Sequence, residues 1–402
     1  MKRFIILLCL SLISATGVQA HSKQPVQPSS IWGNEAVNFL VGHPENVNLE
    51  RVDSLMHAAI HHRAFPGAAI AVGHGAQIVK LQGYGHFTYR RKVHPVTPKT
   101  RFDLASMTKV IATTTAAMLL YQQGRLSLDT PVAHYLPSFA QHGKGKITIR
   151  QLLTHSSGLK PYLTPKGIGL HTHKQIIDSI MAQKLAYKPG SKSVYSGLNM
   201  ITLMRVIETI TGQNFATYCQ QHIFKPLDMN DTGFRPGIEK DTTDVAPTAD
   251  YAGDRFHGIV NDPLARELGG ISGNAGLFST ASDLAKFATM MIQNGRFHGK
   301  QFLKPSTIKL FRTRANVPNS TRALGWDTKT KHGYSSAGHL FGPHSFGHTG
   351  YTGTSIWFDP DHKLFAILLT NQVYPDGHKT KIYKVRAKYG DLVYSAIIGG
   401  SR

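Results

Sequence analysis

The sequence from residue 102 to residue 109 is Phe102-Asp103-Leu104-Ala105-Ser106-Met107-Thr108-Lys109. The segment 110–122 follows it, is rich in Ala, Thr and Leu, and contains no charged residue, which predicts a buried helix. Ser106 and Lys109 are three residues apart at the start of this helix, so they share one face and the lysine amine can approach the hydroxyl. The stretch therefore predicts a serine held beside a lysine inside the protein.

This pairing suits nucleophilic catalysis. A serine hydroxyl is a weak nucleophile until a nearby base accepts its proton, and a lysine amine can do so when burial or a neighbouring cation favours its neutral form. The helix N-terminus adds backbone donors and partial positive charge beside the serine. The same spacing recurs at 157–160 and 306–309, but Gly158 disfavours a helix start in the former, and the latter lies on a predicted exposed helix. We therefore predict that Ser106 is the nucleophile.

Two further elements accompany this pair in chain order. The first is Tyr195-Ser196-Gly197-Leu198-Asn199, and the second, before a predicted strand, is Phe346-Gly347-His348-Thr349-Gly350-Tyr351-Thr352-Gly353. Small residues at a strand edge let the backbone approach a ligand closely. A backbone N–H there can complete an oxyanion hole with the N–H of Ser106.

The ordered set of these three elements resembles the serine beta-lactamase and penicillin-binding-protein superfamily. Two more segments, 152–159 and 269–280, resemble motifs of its class C beta-lactamase-like branch. Within this branch the chain looks most like penicillin-binding protein 4B-type D-alanyl-D-alanine carboxypeptidases and related esterases. The resemblance covers most of the chain from about residue 50 to residue 398. It implies hydrolysis through an acyl-enzyme, with no cofactor and no metal ion.

The resemblance also implies a role for each matching residue. Ser106 would be the acylated nucleophile, Lys109 would share or relay its proton, and Tyr195 would be the general base and then the general acid. The backbone N–H groups of Ser106 and Tyr351 would form the oxyanion hole. The residues that would bind the substrate are His348, Thr349, Gly350 and Asn199.

Two positions depart from the pattern of the family. Gly197 stands where the family commonly has Asn or Asp, so an amide that would bind a substrate carbonyl and hold the lysine is missing, and Asn199 is shifted by two residues. His348 stands where beta-lactamases usually have Lys, and histidine is largely neutral near pH 7 whereas lysine is a fixed cation. Both departures favour an esterase or peptidase over efficient penicillin hydrolysis. The alternative functions are a beta-lactamase and a weakly catalytic or non-catalytic protein that binds the cell wall.

Periodicity along the chain predicts a mixed α/β fold. Apolar runs on either side of Gly73-His74-Gly75 predict a hairpin, a helical period dominates 104–312, and strands return after about residue 324. We therefore predict an antiparallel sheet flanked by helices, with an inserted helical lobe.

The two ends of the chain would build the sheet together. Residues 47–103 and 324–402 would form a discontinuous sheet domain, and residues 104–323 would form the helical lobe that carries Ser106, Lys109 and Tyr195. Ligand sites favour such seams between structural units.

The N-terminus indicates export. A basic start, an apolar run over 4–13 and the small residues around Ala20 predict a signal peptide over 1–20, and 21–46 looks like a linker. An apolar run of about ten residues is too short to span a bilayer. We expect a periplasmic protein with no transmembrane helix.

The composition sets further bounds. Among 402 residues, 45 are Lys or Arg and 23 are Asp or Glu, and loss of Lys2 and Arg3 would lower the formal net charge from +22 to +20. The expected counterpart is an anionic cell-wall polymer or membrane surface rather than nucleic acid, because no nucleic-acid-binding motif accompanies the charge. Loss of Cys9 would leave Cys219 as a buried structural thiol and exclude an intrachain disulfide.

The expected substrates are a peptidoglycan peptide or a small ester or amide, with beta-lactams as covalent ligands. The sequence contains 22 histidines but no His-Glu-x-x-His motif. We therefore expect no metal centre.

Overall fold

The computed structural model describes residues 47–90, 94–164, 169–170, 172–235, 237, 242–251, 254–377 and 381–399. The predicted signal peptide over 1–20 and the predicted linker over 21–46 lie outside the described residues. The helices are α1 (Glu50–His61), α2 (Thr115–Gln122), α3 (Val132–Tyr135), α4 (Ile149–Leu153), α5 (His173–Met181), α6 (Gly197–Thr211), α7 (Phe215–Cys219), α8 (Pro263–Glu267), α9 (Ala281–Ile292), α10 (Pro305–Arg312) and α11 (Ile382–Ile397).

The longer strands lie towards the two ends of the described chain, and short strands lie between them. They are β1 (Gly67–His74), β2 (Gln77–Gly85), β3 (Phe102–Asp103), β4 (Gly233–Phe234), β5 (Ala249–Tyr251), β6 (Asp254–Phe256), β7 (Leu277–Ser279), β8 (Arg296–Phe297), β9 (Lys300–Gln301), β10 (Asp327–Thr328), β11 (Phe346–Thr349), β12 (Ser355–Asp359) and β13 (Leu364–Thr370).

Six of these strands form an antiparallel sheet in the order β10-β11-β12-β13-β1-β2. The N-terminal hairpin joins the C-terminal strands where β1 pairs with β13, with Ala68 opposite Thr370 and His74 opposite Leu364. The hairpin turn contains Gly75, whose φ of +61° favours glycine. The predicted fold class, an antiparallel sheet flanked by helices with a helical insertion, is confirmed.

Both faces of the sheet are buried. Along β1, Ile70 and Val72 pack with α1 and α11, whereas Ala69 and Ala71 face the larger core that contains α2, α6 and α9. Successive residues of a strand point to opposite faces, so a strand covered on both sides needs an almost unbroken apolar sequence. The burial of every residue of β13 follows the same rule.

The insertion between β2 and β10 is mainly helical and also contains a small antiparallel sheet in the order β3-β7-β4. The boundaries predicted for the helical lobe, 104–323, stay a prediction. Helix α9 lies within that range but packs on β1 and β13. The reason is its apolar side: Leu284 and Phe287 belong to the core shared with the sheet.

The helix predicted over 110–122 has an irregular start. Residues Lys109–Thr114 form a π-helical turn and α2 continues from it. Thr115 Oγ1 donates to the Val110 carbonyl oxygen at 2.9 Å, which satisfies a backbone group in this wide turn. Such turns are often found at functional sites.

Two other predictions can be compared with the structure. Cys219 is fully buried, as expected for a structural thiol. Within the described ranges, no helix is both long and apolar enough to cross a membrane.

Candidate active site

A strained backbone presents Ser106. The residue before it, Ala105, has a φ of +47°, a conformation that costs a non-glycine residue on the order of 1–3 kcal/mol. The carboxylate of Asp103 stabilises it, because Oδ1 accepts from the Ala105 N–H at 2.8 Å while Oδ2 accepts from the Asn261 N–H at 2.7 Å. Burial raises the pKa of Asp103 to about 6 despite these two hydrogen bonds.

Lys109 lies against the serine. Its Nζ is 3.0 Å from Ser106 Oγ and donates to the carbonyl oxygen of Asn274 at 2.7 Å. The lysine is only 2% exposed, so these contacts fix its amine in place. The i, i+3 relationship predicted from the sequence is therefore present, even though a π-helical turn begins at Lys109.

Tyr195 lies beside Lys109 and Ser106. Lys109 Nζ is 4.9 Å from the centroid of its ring, and Arg322 Cζ is also 4.9 Å from that centroid. The ring is 39% exposed and lines a cleft of about 320 Å³ together with Ser106 and Arg322. Lys109 and Arg322 thus both face one tyrosine beside the serine.

His348, Thr349 and Gly350 line this cleft. The Nδ1 atom of His348 is 2.7 Å from the Thr349 carbonyl oxygen, which can only accept, so Nδ1 carries a proton. Its Nε2 faces Nη1 of Arg322 at 3.4 Å. Burial, and then the charges of Arg322 and Lys109, lower the pKa of His348 well below its usual value. The histidine is therefore neutral at pH 7, and Arg322 is the fixed cation beside it.

The loop after β11 is tied to the segment before Ser106. Thr354 Oγ1 donates to the Leu104 carbonyl oxygen at 3.0 Å, and Thr352 Oγ1 donates to that of Asp103 at 2.7 Å. A Cβ atom on Gly350 would lie 2.4 Å from the Leu104 oxygen, so this approach requires glycine.

This docking brings Tyr351 beside Ser106, and both line two clefts. The second cleft has a volume of about 630 Å³ and is also lined by Tyr162, Asp262 and Arg266.

Comparison with known proteins identifies the family. A family model described as beta-lactamase matches residues 52–390. A Bacillus subtilis (strain 168) protein named N-acetylmuramyl-L-alanine amidase is 31% identical, over 92% of this chain and 90% of its own. The chain belongs to the beta-lactamase family. An Escherichia coli (strain K12) member whose name proposes D-alanyl-D-alanine carboxypeptidase activity is 30% identical, over 69% of this chain and 70% of its own.

Solved structures of the superfamily share the fold. The hydrolase EstCE1, titled as having promiscuous acyltransferase activity, has a TM-score of 0.70 at 23% identity, over 86% of this chain and 98% of its own. A penicillin-binding protein homologue from Caulobacter crescentus has a TM-score of 0.70 at 21% identity, covering 87% and 97%. A class C beta-lactamase from Rhodobacter sphaeroides has a TM-score of 0.67 at 22% identity, covering 86% and 99%.

Asn199 does not lie where the family pattern led us to expect. It is fully buried on α6, where Oδ1 accepts from Ser157 Oγ at 2.5 Å and Nδ2 lies 3.2 Å from Nδ1 of His155. It does not line the cleft that contains Ser106 and His348. The expectation that Asn199 contacts substrate is therefore corrected: its side chain supports the histidine that packs on Tyr195.

That histidine was not predicted as a site residue. The ring of His155 packs on that of Tyr195, with centroids 4.7 Å apart, and Nδ1 lies 3.2 Å from the Ser196 N–H. Burial, followed by the charges of Arg322 and Lys109, lowers the pKa of His155 well below its usual value. His155 is thus a buried, neutral ring that packs against Tyr195 and supports its position.

Two other residues were missed. Arg322 lies in no motif, and no sequence signal indicated it. Asn274 belongs to the segment 269–280 that supported the resemblance, but nothing in the sequence showed that its carbonyl group holds Lys109.

The competing Ser-x-x-Lys matches are not sites of this kind. Ser306 and Lys309 are exposed on α10, and Ser157 is bonded to Asn199. Over the described ranges, no group of three or more His, Cys, Asp or Glu side chains could hold a metal ion.

Proposed function

We propose that this protein is a serine hydrolase of D-alanyl-D-alanine carboxypeptidase type that acts through an acyl-enzyme on Ser106. The observation that carries the proposal is the contact of 3.0 Å between Lys109 Nζ and Ser106 Oγ, inside a cleft shared with Tyr195. A nucleophile with a base in reach and a second titratable group nearby is the arrangement that acyl transfer needs.

The proposed reaction has two halves. Ser106 Oγ bonds to the substrate carbonyl carbon while its proton passes to the neutral amine of Lys109, and the carbonyl electron pair moves to oxygen. The N–H groups of Ser106 and Tyr351 stabilise this oxyanion. The Tyr195 hydroxyl then relays a proton from Lys109 to the leaving nitrogen. The C–N bond then breaks, and the amine leaves with the proton. Water repeats the sequence on the acyl-enzyme and releases the carboxylic acid and Ser106.

Charges in the cleft support a leaving group that ends in a carboxylate. His348 is neutral, so the cation that the family commonly places at this position is supplied by Arg322 instead. Arg386 also lines the cleft, but its Nη2 donates to the carbonyl oxygens of Gly350 and Thr354. Arg322 Nη2 lies 4.0 Å from Oδ2 of Asp327, a looser contact than those of Arg386, and its side chain is more exposed. Arg322 is therefore the better candidate to bind the carboxylate of a departing D-alanine.

The second cleft offers room for the acyl part of the substrate. It meets the first cleft at Ser106 and Tyr351, and its walls include Tyr162 and Asp262. A substrate crossing the serine would thus place its leaving group beside Arg322 and its acyl group in the larger cleft.

A small ester would use the same site without the arginine, because an alcohol leaving group has no carboxylate to bind. We expect ester turnover to exceed turnover of a chromogenic cephalosporin.

The N-acetylmuramyl-L-alanine amidase relative favours a second candidate substrate, because cleavage of that amide bond would follow the same steps with a muramyl acyl group.

Intact-mass spectrometry tests the proposal. The protein is incubated with benzylpenicillin, with a D-alanyl-D-alanine peptide and with an N-acetylmuramyl-L-alanine peptide, and adducts and products are recorded. Ser106→Ala should abolish the adduct and all turnover, while Ser306→Ala, at the exposed match, should change neither. An adduct that survives Ser106→Ala, or no adduct and no product with the unaltered protein, would refute the assignment.

We further propose that the chain is exported to the periplasm with its N-terminal residues removed. The basic and apolar pattern of 1–20 supports this. N-terminal sequencing of the protein from a periplasmic fraction should begin at His21. Recovery of the intact N-terminus from the cytoplasmic fraction would contradict it.

A further inference from the structure

Gly197 and Asn274 share one small volume at the active site. Gly197 is the first residue of α6, and a Cβ atom placed on it would lie 3.3 Å from Nδ2 and 3.6 Å from Cβ of Asn274. A side chain at position 197 would therefore press on the Asn274 amide, which would have to move by a few tenths of an ångström to make room for it.

The Asn274 amide has a fixed orientation. Oδ1 accepts from Ser272 Oγ at 2.6 Å, and Nδ2 lies 3.4 Å from Oδ1 of Asp262, a carboxylate oxygen that can only accept. The residue is 3% exposed. Because both the Oδ1 and the Nδ2 atom of this buried amide have hydrogen-bond partners, the side chain fixes the backbone position of residue 274.

That backbone holds the catalytic lysine. The Asn274 carbonyl oxygen accepts from Lys109 Nζ at 2.7 Å. The preceding carbonyl, that of Gly273, accepts from Thr113 Oγ1 at 2.7 Å, so the same short segment is bonded to the π-helical turn at two points. A shift of residue 274 would move the lysine amine relative to Ser106.

We infer that Asn274 is the positioning residue for Lys109, and that its amide takes the place left open by Gly197. The side chain fixes residue 274 through Ser272 and Asp262, and the carbonyl group then sets the lysine amine against Ser106 Oγ. This inference rests on the proposed function only in that Ser106 is the acylated nucleophile.

A reciprocal exchange tests it with four proteins: the unaltered chain, Asn274→Ala, Gly197→Asn, and the double variant. The acylation rate constant and the noncovalent dissociation constant for a fluorescent penicillin are measured separately, with the unfolding temperature of each protein. Asn274→Ala should lower the acylation rate constant by about 10- to 100-fold, since small misplacements of reacting groups cost that much. It should leave the dissociation constant unchanged.

Gly197→Asn should also slow acylation, because its side chain presses on the Asn274 amide and shifts residue 274. In the double variant the new amide enters the vacated volume, and acylation should recover to at least about tenfold above either single variant, as expected for directly coupled positions. Thr289→Ala removes a buried side chain of α9 that lies outside the site, and it should lower the unfolding temperature without slowing acylation.

A double variant no faster than the slower single variant, with all proteins folded, would overturn the inference. So would an Asn274→Ala variant that acylates at the normal rate. If the unaltered protein forms no adduct on Ser106, the proposed function itself fails, and that result is distinct from both outcomes.

Discussion

The hydroxyl of Thr352 donates to the carbonyl oxygen of Asp103 at 2.7 Å, although the two residues are 249 positions apart in the chain. This bond fastens the loop that contains Tyr351 to the residue three positions before Ser106. The position of the Tyr351 N–H relative to the Ser106 N–H thus depends on a buried threonine hydroxyl.

Thr352→Val should slow acylation while leaving the protein folded. Loss of the hydroxyl leaves a buried carbonyl group unpaired, a cost of about 1–3 kcal/mol. We expect the acylation rate constant to fall by at least about tenfold because the oxyanion hole loses its alignment. Stopped-flow measurement with a fluorescent penicillin would show this. Thr289→Val, which removes a similar buried hydroxyl from α9, should destabilise the protein and leave that rate constant unchanged.

Arg322→Ala should reduce the preference for substrates that end in a carboxylate. Loss of a charge-assisted hydrogen bond of about 1.5–3 kcal/mol should lower kcat/KM for a D-alanyl-D-alanine peptide by about 10- to 100-fold. The same peptide ending in a carboxamide should be affected much less. Arg296→Ala, on the exposed strand β8, is the control. An equal loss on both peptides would show that Arg322 does not bind the carboxylate.

Asp103 should make stability depend on pH. Burial raises its pKa from the ordinary 3.8 to about 6, so between these values the native protein binds more protons than the unfolded chain. Protonation of Asp103 therefore stabilises the native state. This contribution to the free energy of unfolding is fully present below pH 3.8 and is lost as the pH rises through 6, a change on the order of 3 kcal/mol. Urea unfolding from pH 3.5 to 7.5 should show this decline, and Asp103→Asn should flatten it. Asp178→Asn, on the exposed side of α5, should not.

Cys219 should be inert in the native protein. Burial raises the pKa of its thiol well above the usual value, and the side chain has no exposed surface. In a chain beginning at residue 21, where it is the only cysteine, iodoacetamide should react only after denaturation. Rapid labelling of the folded protein would contradict the buried position.

Sequence reasoning succeeded where a relationship is local. The contact between Ser106 and Lys109 is set by three residues of helical turn, and the hairpin of β1 and β2 by Gly75 and its flanking apolar runs. The predicted return to strands after about residue 324 has the same local basis, since β12 and β13 are short apolar runs.

The rest depends on packing between distant segments. Arg322 contacts Tyr195 through the packing of two segments that are far apart in the sequence. No rule of residue spacing predicts such a contact. Asn199 was assigned to the site because it is near Gly197 in sequence. Since α6 begins at Gly197, two residues turn the side chain by about 200° from the direction at position 197, and it contacts Ser157 and His155 instead.

The position of β13 between β1 and β12 has a consequence for biosynthesis. A ribosome that has released only the first 320 residues has produced Ser106, Lys109 and Tyr195, but not the strands that bring His348 and Tyr351 to them. Pairing over so long a separation closes late in folding. We therefore expect the nascent chain to stay unreactive toward acyl donors until residue 370 has been synthesised, because only then can β13 pair with β1 and β12.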